Sequence, residues 1–575
     1  MLGRYAIAFG RGAHRHELGA RAAAVQLPVR IETPELLLVA PAGTPCLIES
    51  GAILVGQIFA AASERLDNLP TGLAEAANVA KLRSALEGHW GNFAFFCASE
   101  KEAIVYREPS GSVPVYQFGE PHQTIFASDA ELAVDLCLTK QAAMDARFLV
   151  HWLQFPFLRT SRTGLAGVRE VLPGVLMTRT GSSSWNEGQG WHPASFVGRR
   201  EAIDDPGQAA SRLRETALSV VAAQADARPF ALRLSGGLDS SIIAACLSQA
   251  GFRFPCINFA TRSRDGDERS YARAVAERFG LQLIEIVERE PSLLLPAVRP
   301  SFRPPINPLL APFERAIEAA ATELGASLLI DGGGGDNLFC SISSAAPVID
   351  ALRRSGLRTA GQAIADIAER AECTAWDVVA AASRRLLKPR TSWKEDRSLL
   401  NRRALLRAPE LHPWLQDLTA QPGKREHVEA LVHIQHFLDR GIGSEVLHPL
   451  LAQPLLELCL RIPSWLWLRG GRDRAVARDA FAGLVPDSVL RRRVKGSLQS
   501  LLYRSFEQLR EEMRDRLASG ELARAGIVNP KAIQDALTGE AWKTDLVQLR
   551  ISEMVALELW LESWRSSPWT ASSPS

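Results

Sequence analysis

Along the first third of the chain, apolar positions come in short runs broken by turn residues: YAIAFG, LLLVAPAG, CLIESGAILVGQIF, GNFAFFCASEKEAIVYREPSGSVPVYQF and QTIFASD. Runs of this length between Gly, Pro, Ser and Asp predict strands and tight turns. One stretch, AEAANVAKLRSALEG, has helical spacing, and TGLAGVREVLPGVLMTRTG adds two short strands. GSSSWNEGQGWHPASFVGRREAIDDPG is rich in Gly, Ser and polar residues and reads as a linker. The pattern divides the chain into a domain over 1–200, a linker near 181–205 and a second domain over 206–575.

Beyond residue 206 the pattern changes. AASRLRETALSVVAAQA is helical, PFALRLS a strand, and SSIIAACLSQAG a helix ended by Gly251. FPCINFAT, LQLIEIVE and ASLLIDG are three more strands. Between them lie DERSYARAVAERFG, a helix capped by Asp267 and ended by Gly280, and the helix APFERAIEAAATELG. Four β units with three helical crossovers predict an α/β domain with a parallel, doubly wound sheet. Ligands of such sheets bind beyond the carboxyl ends of the strands. Residues 340–575 read as mostly helical, and no internal repeat is visible.

Composition narrows the partners. The 575 residues exceed one ordinary core, and 46% apolar with 23% charged residues is a soluble globular balance. A net charge of +2 demands no nucleic acid. No run approaches the roughly 20 apolar residues of a membrane span. MLGRYAIAFGRG is too short in its apolar part for a signal peptide. The eight cysteines are scattered without a CxxC pair, which reads as packed, reduced thiols in a cytoplasmic protein. RRLLKPRTSWKEDRSLLNRRALLR, residues 384–407, is a solvated helical face or a surface for a peptide or protein partner.

The candidate chemistry lies after the first strand of the second domain, in SGGLDSS (Ser235, Gly236, Gly237, Leu238, Asp239, Ser240, Ser241). Two glycines allow a sharp turn and close approach of bare N–H groups to a ligand. A helix starts there, its positive end facing the same space, and the serines add donors. This suits phosphate, though the Lys of a Walker A loop is absent. Asp239 would repel phosphate unless a cation lies between them, which implies Mg2+. The plainer alternative is a Gly-Gly turn with an acid near a helix start. A second strand ends in DGGGGDN, residues 331–337, bringing Asp336 to the same edge. Four bare glycines predict that something large approaches that backbone or that the loop moves. Asp239 and Asp336 would share one or two Mg2+ ions; the alternative is a flexible loop with a capping Asp.

SGGLDSS resembles the pyrophosphate-binding loop of the N-type ATP pyrophosphatases, and the whole chain is similar to the asparagine synthetases. GHWGNFAFF, REPSGSVPVYQF, FASDAELA and TGLAGVREVLPGVLM resemble, in order, landmarks of that family's Ntn-glutaminase-like αββα domain. DGGGGDN resembles its SGEGADE segment, GSEVLHPLLAQPLLELCLRIP its Glu-containing helix, and RAVARDAFAGLVPDSVLRRRVKGSL its Lys-containing segment. The resemblance implies ATP as cosubstrate with Mg2+. Leu234, Phe259, Asp331 and Gly332 would line the nucleotide. Lys495 would face the acyl-adenylate, and Glu445 would take the amine proton or orient Lys495.

Three departures redirect the substrate. The glutaminase cysteine has no counterpart, since residue 2 is Leu and the nearest cysteine is Cys46. The first domain is therefore expected to be inactive, with a scaffold or docking role. The Glu of SGEGADE is Gly333, and the Arg of E-x-R-x-P is Leu447. This combination most resembles the lasso-peptide cyclases. That resemblance implies an ATP-dependent, AMP-forming carbon–nitrogen ligase. It would adenylate an Asp or Glu side chain of a leader-cleaved precursor core peptide and couple it to the peptide's own terminal amine. A leader-recognition protein and a leader peptidase would be partners. The alternatives are an asparagine-synthetase-like or β-lactam-synthetase-like ligase using ammonia or a small amine, and a non-catalytic nucleotide-binding scaffold.

Overall fold

The computed structural model describes residues 3–49, 51–75, 78–120, 123–139, 143–181, 183–198, 200, 202–225, 228–263, 266–287, 294–387, 393–438, 445–493, 496 and 499–565. The first 200 residues fold around two antiparallel six-stranded sheets. One contains β1 (Ala6–Phe9), β2 (Val29–Glu32), β3 (Leu36–Val39), β8 (Tyr116–Phe118), β9 (Ile125–Ala127) and β10 (Arg169–Glu170), in the order β10-β8-β9-β1-β3-β2. The other contains β4 (Cys46–Glu49), β5 (Ala52–Ala60), β6 (His89–Ala98), β7 (Glu102–Arg107), β11 (Val175–Thr180) and β12 (Asn186–Gln189), in the order β12-β11-β7-β6-β5-β4.

Strand alternation sorts the side chains into layers. Ile7, Phe9, Leu36 and Leu38 meet Ile53, Val55, Phe96 and Val105 between the sheets. Ala6, Ala8, Leu37 and Val39 point the other way, toward Leu18 and Ala22 of helix Ala13–Ala24. Leu54, Ile58, Phe93 and Phe95 pack on Leu73 and Leu82 of two short helices over the second sheet. The layers therefore run helix, sheet, sheet, helix. Helix Ala13–Ala24 departs from the strand-and-turn expectation; its AHRHELGARAAA sequence shows mostly polar residues and hides a narrow apolar stripe. The expected linker also contributes structure, because its NEGQ segment forms the exposed edge strand β12.

The second domain carries the parallel sheet that the sequence predicts. β13 (Phe230–Arg233), β14 (Cys256–Ala260), β15 (Leu283–Val287) and β16 (Leu328–Ile330) are joined by β17 (Val446–Leu447) in the order β15-β14-β13-β16-β17. Helices Leu238–Gln249 and Arg269–Phe279 cover one face, with helix Pro206–Gln224 behind them. Helix Ala311–Glu323 covers the other through Ile317 and Ala321. β17 corrects the expected Glu-containing helix: Glu445 directly precedes a two-residue strand, and the helix starts later, at Gln453–Arg461.

The domains are pinned by a buried cluster. Glu170 is fully enclosed and accepts from Arg107 at 2.8 Å, Arg159 at 2.6 Å and Arg303 at 2.8 Å. Arg303 comes from the second domain, and Arg159 also donates to the Gln435 carbonyl of helix Pro422–Leu438. Among the described residues no helix is long and apolar enough to cross a membrane.

Candidate active site

The site forms where β13, β16 and β17 end. After β13, the Leu234 N–H donates to Ile257 O at 2.9 Å, and its carbonyl accepts from Asn258 Nδ2 at 2.8 Å. The chain then turns at Ser235-Gly236-Gly237. Gly236 has φ +81, and a Cβ there would lie 2.8 Å from Ala272 N and 2.9 Å from Glu268 O. Glycine is required here by the start of helix Arg269–Phe279 as well as by the turn. Gly237 caps helix Leu238–Gln249, with Asp239 in its first turn. Ser235 Oγ lies 3.1 Å from Ser240 Oγ, and Ser241 Oγ donates to Gly237 O at 2.7 Å. Leu238, Asp239, Ser240 and Ser241 are buried, whereas Ser235 is exposed.

The glycine-rich loop lies directly on this turn. A Cβ on Gly332 would sit 2.6 Å from Ser240 N, and one on Gly335 would collide with the Asp239 carboxylate. Gly334 has φ +85 and faces Leu451. Gly333 faces His448 Nδ1 and Asp331 Oδ1, at 2.6 and 2.8 Å from its would-be Cβ. The four glycines are closely approached by the protein itself, through Ser240, Asp239, His448 and Leu451. The His448 ring fills the space beside Gly333.

Two clusters result. In the first, Asp239 and Asp336 converge on one guanidinium. Arg474 Nη1 lies 3.2 and 3.3 Å from the Asp239 oxygens and also bonds Asp336 Oδ1. Burial works against the charge on Arg474, but Asp239, Asp336 and Asp473 outweigh it and hold its pKa above the ordinary value. In the second cluster, His448 Nδ1 is 2.6 Å from Asp331 Oδ1, which also accepts the Gly333 N–H at 2.8 Å. The other ring nitrogen, Nε2, is buried without a hydrogen-bond partner among the described residues. Arg233 stands 3.8 Å from Asp331 Oδ2 and 3.0 Å from Glu314.

Residues 212–562 match the sequence model of the family described as asparagine synthase. The chain belongs to the asparagine synthase family. It is therefore an ATP-dependent, amide-forming ligase of the asparagine synthetase type. No curated protein matches it. Among solved structures, the allosteric regulatory enzyme of purine biosynthesis is similar at 11% identity, over 57% of this chain and 89% of that one, with a TM-score of 0.23. The glutamine phosphoribosylpyrophosphate amidotransferase from B. subtilis, complexed with ADP and GMP, is similar at 9% identity, over 58% and 81%, with a TM-score of 0.22.

Within this asparagine synthase domain, the candidate residues do not all assemble. Leu234 through Ser241, Asp331, Gly332 and Asp336 share one edge of the sheet. Phe259, the penultimate residue of β14, stands at that same carboxyl end, two positions beyond the Arg233–Ile257 pair, with its ring edge-on to Phe313 at 4.5 Å. Glu445 is at the opposite, amino end of β17, with its carboxylate 3.1 and 3.2 Å from Arg228. Lys495 lies outside the described residues. Its neighbours Arg492 and Gly496 both bind Glu268, whose carbonyl backs Gly236.

Asp239 and Asp336 fit a hard divalent cation, since two carboxylates already converge on one positive group beside a helix start. Among the described residues no group of three His, Cys, Asp or Glu would hold a metal unaided. The remaining ligands would be phosphate oxygens or water. Neither Arg474 nor His448 is among the residues that the sequence singles out. The two acids themselves were the available signal for Arg474, because neighbouring carboxylates need a cation even before a metal arrives.

Proposed function

We propose that this ligase is an AMP-forming macrolactam synthetase acting on a leader-cleaved peptide, of the lasso-peptide cyclase kind. The observation that carries the reading is Gly333. The position that is Glu in the asparagine synthetase pattern is bare here, and His448 held by Asp331 occupies its space. Leu447 stands where that pattern has Arg, so the polar groups expected around a free amino acid are replaced together.

In this reading a side-chain carboxylate of the peptide attacks the α-phosphorus of ATP. A mixed anhydride forms and pyrophosphate leaves. The N–H groups and hydroxyls of residues 235–241, at a helix start, bind the departing phosphates. Bound Mg2+ would supply further charge neutralisation through Asp239 and Asp336. The peptide's terminal amine then attacks the acyl carbon, the bond to AMP breaks, and AMP departs with the electron pair. An α-amine has a reference pKa of about 8, so a useful fraction is neutral at pH 7. The proton lost on amide formation passes to His448 rather than to Glu445, which Arg228 holds at the other edge. Nucleophile and electrophile belong to one folded peptide, so proximity lowers the barrier further.

The test is ATP–pyrophosphate exchange with the leader-free core of a precursor peptide encoded beside the gene, compared with free aspartate and glutamate. Exchange and macrolactam formation with the peptide alone support the reading. Exchange with free aspartate in the absence of peptide overturns it in favour of a small-substrate amide ligase. Exchange with no acid overturns it in favour of a scaffold.

A further inference from the structure

We propose that Arg474 is a place-holding cation. In the nucleotide-free protein its guanidinium takes the position between Asp239 and Asp336. Divalent metal then enters only together with ATP, whose phosphates take over the displaced guanidinium. The inference rests on the reading that these two acids hold metal beside the nucleotide phosphates.

The geometry supports this at three points. First, a single nitrogen, Nη1, bonds both acids, at 3.2 Å from Asp239 Oδ1 and in direct contact with Asp336 Oδ1. A metal ion and this nitrogen cannot both lie there. Second, the arrangement is enclosed. The side chains of Arg474 and Asp239 are 10% and 11% exposed, while that of Asp336 is 40% exposed and leaves one open side. Expelling a guanidinium from such surroundings without giving it a new anion leaves a largely buried unpaired charge, which is strongly unfavourable. Triphosphate provides that anion. Third, Arg474 is a non-glycine residue at φ 51, immediately before helix Ala475–Ala480. Non-glycine residues held in the left-handed region cluster at active sites, ligand clamps and switch regions.

The neighbouring charges do not offer Arg474 an easy alternative. Asp473 lies 3.4 Å from its Nε, but Asp473 is already paired with Arg478 at 2.7 Å. Asp331, across the glycine loop, is engaged by His448 and faces Arg233. Displacement by metal alone is therefore unfavourable, and displacement by metal with a polyanion is favourable. The device couples metal entry to nucleotide entry, so an acid pair poised for magnesium does not fill before ATP arrives.

Mn2+ titration of the full chain, read as loss of the free-ion electron paramagnetic resonance signal, tests this without turnover. Wild-type protein should bind Mn2+ weakly alone and far more tightly with a non-hydrolysable ATP analogue. Arg474→Gln should bind Mn2+ alone about tenfold or more tightly than wild type, because a competing charge is gone. Adding the analogue should then raise its affinity less than in wild type. Arg474→Gln with Asp336→Asn should lose the gain. Arg474→Lys keeps a cation and should stay as weak as wild type, which separates loss of charge from a disturbed fold. The proposal is overturned if Arg474→Gln gains no Mn2+ affinity, if the gain survives Asp336→Asn, or if wild type binds Mn2+ equally with and without nucleotide. Exchange assays with peptide fail or succeed separately, so the peptide reading and the role of Arg474 stand or fall apart.

Discussion

Gly333→Ala isolates one contact with unusual clarity. The Gly333 backbone lies outside the left-handed region, unlike that of Gly334 at φ +85, so alanine is conformationally allowed. The whole effect then comes from the added methyl. It would stand 2.6 Å from His448 Nδ1 and 2.8 Å from Asp331 Oδ1, both well inside ordinary contact. The imidazole must retreat by about 0.8 Å, and its 2.6 Å bond to Asp331 is lost. Breaking a hydrogen bond to a buried carboxylate costs about 1–3 kcal/mol. A urea titration should show that loss against Gly43→Ala, where a Cβ meets nothing within 4 Å. Amide formation should fall by about 10²-fold or more, as expected when a proton acceptor is displaced. Capture of the acyl-adenylate by hydroxylamine, which is neutral at pH 7 and needs no base, should fall much less. A Gly333→Ala protein as stable as Gly43→Ala, with unchanged amide formation, would refute the packing argument and the role of His448 together.

Other perturbations have equally definite outcomes. Glu170→Ala leaves three buried arginines without their carboxylate and should cost about 3–5 kcal/mol in equilibrium unfolding. Glu445→Gln should leave pyrophosphate exchange and amide formation near wild type, with about 1 kcal/mol or less of stability lost, since Arg228 is one-third exposed; a collapse of turnover would return Glu445 to the site. Burial raises the Glu108 carboxyl to about 7, against the opposing pull of Ser110, Arg107 and Ser112. Its folded pKa exceeds its ordinary 4.5, so its contribution to stability is complete below pH 4.5 and is lost as pH rises toward 7. Glu108→Gln should flatten that part of the stability–pH profile, and an unchanged slope would argue against the shift.

The two glycine motifs were legible because each follows an apolar run directly. A strand end fixes where the next residues project, whatever the distant chain does. The same logic gave four of the five parallel strands. β17 escaped because two residues carry no periodicity. β12 escaped because NEGQ is held by its backbone ladder to β11 and buries no apolar face. Arg474 and His448 were hidden for another reason. Their partners lie 235, 138 and 117 positions away, so no local pattern marks either residue. Glu445 was misplaced because the motif around it aligns, while the edge of the sheet on which its carboxylate falls depends on strand register.

The Glu170 cluster bears on how the enzyme can be trimmed. Its carboxylate belongs to the first half of the chain and one of its guanidiniums to the second, and the same seam holds Trp414 Nε1 on Pro173 O at 3.0 Å and Trp191 Nε1 on Glu457 at 3.0 Å. Cutting near residue 200 to express a minimal ligase would strip a cation of its counter-ion and bare two indole-lined surfaces at once. A shortened version would need those surfaces redesigned before it could stay folded, so the portion without an expected reaction of its own is a fixed wall of the catalyst.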